Sequence, residues 1–298
     1  MIWLGESRGY LTDWATQQWV RFTGRRVSFA DAPWLVGPVG KPRGIGETYF
    51  DELAAETGLA VRRDSNPRGL MPAFDALRGP AFDPALVHHA VAAFYERTSG
   101  YEIDAWAEWC GAFRPFGRAL AVLFARRLQQ MNVPLSALDT SRGMTSEVLQ
   151  LVDPASGAVR HTAWVRRLLG SGDVLYAGSY SISRIPGFEG PCVRVVFPLP
   201  NGNAIVMMRP VAHDDGSFSV VSAGNRFGEP GFYFTVRRPG GGAWVRYVKS
   251  LRESIRVYPA DDGGVRADHT LTLWGATFLR LHYRLRVRRP AIAVEQHT

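Results

Sequence analysis

The chain has 298 residues, 46% of them hydrophobic and 21% charged, enough apolar material for a large buried core and too much for a disordered chain. The start, MIWLGESRGY, lacks the basic and apolar regions of a secretory signal, and two cysteines can form neither a disulfide framework nor a thiolate zinc cage. The net charge of +8 is uneven: residues 1–145 hold 16 Lys/Arg against 15 Asp/Glu, whereas residues 146–298 hold 19 against 12. All the basic residues except Lys41 and Lys249 are arginines, whose planar fork suits carboxylates and phosphates. A GC-rich codon bias would give the same composition.

In chain order, Leu11 to Phe22 reads as a short aromatic helix with Thr12 near its start. A Gly/Pro-rich loop follows, from Trp34 to Gly46, and then a helix from Glu47 to Thr57 closed by Gly58. That loop contains Lys41 and Arg43 ahead of a helix start, which could hold an anion. It is not a P-loop, because Pro42 follows Lys41 where Ser or Thr is required. Residues 62–82 are irregular. Asp83-Pro84 is a strong helix start, with a cap and a proline tolerated at the first position. Val87, Ala90, Val91 and Phe94 make an apolar stripe behind it.

The segment 101–110 places Glu102, Asp104 and Glu108 among Tyr101, Trp106 and Trp109. On a helix, Asp104 and Glu108 would share one face. A carboxyl group held against indole has a raised pKa and serves as a general acid, so these two are the candidate acid–base groups. The competing reading is an amphipathic segment with its acids in water. A second helix is expected from Phe116 to Met131, too short and too charged to span a bilayer.

After Gly143 the hydrophobic period changes from helical to two. Val174, Tyr176, Gly178, Tyr180 and Ile182 alternate with small residues. Further strands are expected around 192–199, 203–211, 217–223, 231–238, 243–248, 264–273 and 278–287. Asn201-Gly202, Asp214-Asp215-Gly216 and Asp261-Asp262-Gly263-Gly264 are turn signals between them. The expected fold is therefore α+β. A helix-rich, Trp-rich part (1–135) precedes a large antiparallel β domain (145–290), a lipocalin-like barrel or a sandwich, and the two parts could share one core.

The seven histidines form no ligand pattern. His88 and His89 are adjacent and diverge on a helix, and His269 shares a strand face with Val265, Ala267, Leu271 and Leu273. No metal or other cofactor is expected. The last strand sets Leu279, Leu281, Tyr283 and Leu285 against Arg280, His282, Arg284 and Arg286. Its Arg/His face is either in solvent or turned into a cavity. In the second case Arg280, His282 and Arg284 hold a ligand's acidic group, joined by Arg246 and Arg256, with Trp106 and Trp109 supplying apolar wall.

The leading expectation is a cytoplasmic small-molecule-binding protein for an apolar ligand with an acidic group. The alternative is a metal-free isomerase, cyclase or hydrolase on the same scaffold. Specific nucleic-acid binding is not expected, since no recognition motif or stacking platform is present.

Overall fold

The computed structural model describes residues 11–42, 45–63, 67–113, 115 and 143–288. The helix expected over Phe116 to Met131 lies outside them, as does Arg43.

Among the described residues there are three short α-helices: α1 (Leu11–Thr23), α2 (Tyr49–Thr57) and α3 (His89–Glu96). Two begin later than expected. Asp83 does accept a backbone bond, from the Ala85 N–H at 3.0 Å, but it caps one 3-10 turn over Pro84–Leu86. The α-helix proper starts at His89, where the ring of the preceding His88 accepts from the Ala90 N–H. Similarly α2 starts at Tyr49, and Gly58 closes it in the left-handed region.

Apart from short 3-10 turns, the other regular elements among the described residues are strands, and every pairing between them is antiparallel. Three strands come from the N-terminal part: β1 (Arg25–Val27), β2 (Ala60–Arg62) and β3 (Tyr101–Trp109). Next come β4 (Met144–Val152), β5 (Val159–Leu168), β6 (Val174–Ser183), β7 (Cys192–Leu199), β8 (Gly202–Ala212) and β9 (Phe218–Ser222). The series ends with β10 (Gly231–Arg237), β11 (Ala243–Val248), β12 (Leu251–Pro259), β13 (Val265–Leu273) and β14 (Ala276–Val287).

Residues 101–109 are thus a strand, not a helix. Their burial alternates, with Tyr101, Ile103, Ala105 and Trp109 inward, so Asp104 and Glu108 share the outward face two strand repeats apart. Period two wins because the inward set matches the β14 face it pairs with, Leu285, Tyr283, Leu281 and Leu279.

The main path of the sheet runs β2-β4-β5-β6-β7-β8-β9-β12-β13-β14-β3. At β8 it branches. Residues Gly202–Met207 pair with β10, which carries β11 and β1, while Arg209–Ala212 pair with β9. Local chemistry builds the turns: Asn201 takes a positive φ of 60° between β7 and β8, as its short polar side chain permits. Trp274 does so at 51° between β13 and β14, an unusual residue for that conformation.

One face of the main path, with α3 and the segment 70–87, encloses the largest core. Phe74, Phe82, Phe94, Tyr95 and Phe218 meet there in edge-on and tilted pairs, and residues from both ends of the path contribute. The sheet is therefore strongly curved, yet it is not closed into a barrel. Where β3 and β4 would have to pair, the Ser146 carbonyl instead accepts a hydrogen bond from the Arg288 guanidinium at 3.0 Å.

Candidate functional site

The expected ligand and acid–base residues do not meet in one place. Arg280, His282 and Arg284 are on the outer face of β14, with side chains roughly 40–50% exposed. Each faces an acid. Arg280 pairs with Glu108 at 3.6 Å, Arg284 with Asp262 at 3.7 Å and Arg286 with Asp104 at 3.1 Å. His282 Nδ1 lies 2.7 Å from Asp268. The register accounts for part of this ladder, because Arg280 sits directly across from Glu108 and His282 across from Asp268, while Arg286 reaches Asp104 diagonally. Arg256 is on the same outer face and bonds Asp215 and Ser217, while Arg246 on β11 donates to the Thr23 carbonyl at the end of α1. Trp106 is exposed and Trp109 buried, on opposite faces of β3. In the Gly/Pro loop, Lys41 is held by Glu52 and Glu56 of α2, so its charge is already matched.

A different arginine occupies the interior. Arg166 on β5 is only 6% exposed. Its guanidinium carbon lies 4.3 Å from the Trp164 ring centre, 4.4 Å from that of Tyr176 and 5.5 Å from that of Tyr283. Tyr283 belongs to β14 at the far end of the path, so only curvature of the sheet brings these groups together. Among the described residues no carboxylate is within ion-pair distance of Arg166, and its Nε has no hydrogen-bond partner. The Tyr176 hydroxyl beside it has the Tyr180 hydroxyl as its polar neighbour, without a well-formed hydrogen bond.

The local sequence builds this cage. On β6, Tyr176, Gly178 and Tyr180 point inward together, and the Tyr176 side chain folds over Gly178. A Cβ at Gly178 would stand 2.7 Å from the Tyr176 hydroxyl oxygen. Trp164, opposite Gly178, donates its indole N–H to the Ser146 hydroxyl at 2.8 Å. Burial pushes Tyr176 and Tyr180 well above the ordinary phenol range, against the opposing pull of Arg166, so both remain neutral hydroxyls at physiological pH.

An arginine is always charged, and an ion buried in a protein costs several kcal/mol. Cation–π contacts return about 0.5–2 kcal/mol each. The rings therefore offset part of that cost, the Tyr283 hydroxyl gives the guanidinium a polar neighbour, and Nε is left without an acceptor.

On the same interior face, His269 Nε2 of β13 lies 2.5 Å from the Glu253 carboxylate of β12, and both side chains are nearly buried. The imidazole stacks on Tyr283, with ring centres 6.3 Å apart. Sequence reasoning put His269 on an apolar strand face but missed Glu253 and Arg166. The signal for Arg166 was a charge at an inward position of a period-two run, on the same side of β5 as Trp164.

A cleft of about 430 Å³ opens where β3 and β4 fail to pair. Glu102, Ile103 and Asp104 form one wall, Met144, Thr145 and Ser146 the other, with Gly143, Leu169 and Arg288 around them. Ser146 of this cleft is the cross-strand neighbour of Arg166, although no side chain of the cage itself lines the opening. Asp104 is at its rim, bonded to Arg286.

Among the described residues no group of three or more His, Cys, Asp or Glu side chains is arranged to hold a metal. Both cysteines are free. Cys192 is buried, which pushes its thiol up to about 12, whereas Cys110 is partly exposed.

No family model matches the chain, and no solved structure matches it. Over 247 residues it is 27% identical to the uncharacterized membrane protein YndJ of Bacillus subtilis (strain 168). The match takes in 82% of this chain and 41% of that relative's length. No helix among the described residues is long and apolar enough to cross a membrane.

Proposed function

We propose that the protein binds an apolar small molecule bearing a carboxylate, held inside the curved sheet and admitted through the cleft between β3 and β4. The observation that carries this reading is Arg166, a buried charge with aromatic neighbours and no acidic partner among the described residues. A carboxylate ligand would supply the missing acceptor. The Tyr176 hydroxyl offers it a second bond, and the aromatic core offers its tail an apolar surface. The interior takes the part a lipocalin-like barrel would play, with the unclosed seam as its mouth. We place this ligand-binding activity in the cytoplasm, in keeping with two unpaired cysteines.

The test is titration calorimetry of the full chain with dodecanoate and with dodecanol, after native mass spectrometry to detect any co-purified acid. Dodecanoate should bind one-to-one, dodecanol far more weakly, and Arg166→Met should lose the difference. Equal affinity for acid and alcohol, or an unaltered Arg166→Met variant, would overturn the reading.

A second reading, a metal-free acid–base enzyme, is favoured by the Glu253–His269 contact, a carboxylate 2.5 Å from a nearly buried imidazole. It requires that His269→Gln bind a ligand that the wild-type protein converts, without converting it.

A further inference from the structure

The helix α1 is inside out. Its buried residues are Asp13, Gln17, Gln18 and Val20, with the Gln17 amide donating to the Pro200 carbonyl at 3.1 Å. Its outward side carries large apolar groups: Leu11 is 78% exposed, Phe22 70%, Trp19 43% and Trp14 39%. At 3.6 residues per turn these four fall within about 140° of arc, a stripe along three turns interrupted by the buried Gln18, and Trp19 also meets the Phe234 ring edge-on. An ordinary surface helix would turn that stripe to the core.

The border of the stripe is basic. Arg21 and Arg238 lie over the Trp244 ring of β11, at 5.4 and 5.7 Å from its centre, and Arg26 of β1 is the cross-strand neighbour of Trp244. Among the described residues none of these three arginines has a carboxylate partner. This contrasts with β14, where Arg280, Arg284 and Arg286 are each matched by an acid.

We propose that the α1 face docks on an anionic lipid surface, with Leu11, Phe22 and Trp19 entering the headgroup–acyl boundary and Arg21, Arg26 and Arg238 meeting lipid phosphates. Aromatic and aliphatic side chains beside arginines are what an in-plane interfacial helix requires. A second copy of the chain is the poorer occupant. A two-fold contact would set this basic border against itself.

The experiment is flotation of the full chain with vesicles of phosphatidylcholine alone and of equal phosphatidylcholine and phosphatidylglycerol, at low and high salt. The wild-type protein should float with the anionic vesicles only, and salt should release it. Arg21→Gln with Arg26→Gln should lower partitioning about fivefold per arginine. Phe22→Ser with Leu11→Ser should lower it at least as far while leaving the circular dichroism spectrum and melting curve intact. Absence of the protein from the anionic fraction overturns the proposal. So does equal flotation with neutral vesicles, or an Arg double variant that floats like wild type. A dimer in light scattering that Phe22→Ser dissociates would assign the face to a second copy and likewise overturn it.

Discussion

Arginine does opposite work on the two faces of the β13–β14–β3 end of the sheet. On the outer face it stands in a ladder with acids: Arg280 with Glu108, Arg286 with Asp104, Arg284 with Asp262. Water screens each of these pairs, and exposed pairs of this kind contribute about 0–1 kcal/mol. On the inner face Arg166 reaches Tyr283 of β14 from across the core, buried and with no ion pair to an acid among the described residues. The same side chain is thus nearly neutral energetically on one side and costly on the other. A group maintained at a cost is the better guide to a binding site, because the cost is recovered only when something occupies it.

The sharpest way to break this comparison is Arg166→Met. With the buried charge gone, carboxylate affinity should fall by on the order of 2–5 kcal/mol, the cost of losing a desolvated charge contact. The ligand-free protein should melt at the same temperature or higher, since exchanging an uncompensated buried ion for an apolar chain is often neutral or stabilising. Calorimetric titration and a thermal melt of the apo protein check both halves. A large drop in apo stability would mean that Arg166 is structural.

Gly178→Ala tests the cage itself. The new methyl would stand within 3 Å of both the hydroxyl and ring of Tyr176, and overpacking of that kind costs about 1–3 kcal/mol. Urea denaturation should show it, and ligand affinity should weaken as Tyr176 is displaced. Unchanged values for both would mean that Tyr176 moves freely and does not frame a site.

Alkali should act on the interior and spare the ladder. Burial raises Tyr176 and Tyr180, and Tyr95 and Tyr49 elsewhere in the core, above their unfolded value near 10. A raised folded pKa means that the folded state holds its protons more tightly. The stabilisation is complete below about pH 10 and drains away as the pH rises from there toward the folded values. The denaturation midpoint should therefore be flat through neutrality and fall above about pH 10. A fall beginning near pH 8 would contradict neutral, buried phenols.

The smallest effects belong to the ladder. Arg280→Ala, Asp104→Asn and Glu108→Gln should each shift stability by less than about 1 kcal/mol. Arg280→Ala and Glu108→Gln should leave dodecanoate binding unchanged. Asp104→Asn, at the cleft rim, could alter the rate of entry but not the affinity. Loss of binding in Arg280→Ala would move the site to the outer face.

Much of the β architecture is local chemistry and was legible in the chain. The alternation from Val174 to Ile182 and the run 192–199 became β6 and β7 with bounds within a residue or two. Asn201, Gly216 and Gly263 mark turns because few other residues tolerate positive φ. The strand at 101–109 was legible too, in the same alternation, but its aromatic and acidic residues also fit a helix. Only pairing with β14 decides between them.

What no local pattern carries is the curvature of the sheet. Leu279 to Val287 read as one apolar and one basic face, and which face met the interior depended on partners far away in the chain. Curvature and register put the acids of β3 opposite the arginines of β14, and brought Arg166, Tyr176, Tyr283, Glu253 and His269 onto one interior surface from five different strands. Sequence spacing determines which side of a strand a residue takes. The company it keeps there is set by long-range pairing, and for a buried charge that company decides whether it is paired, unpaired or waiting for a ligand.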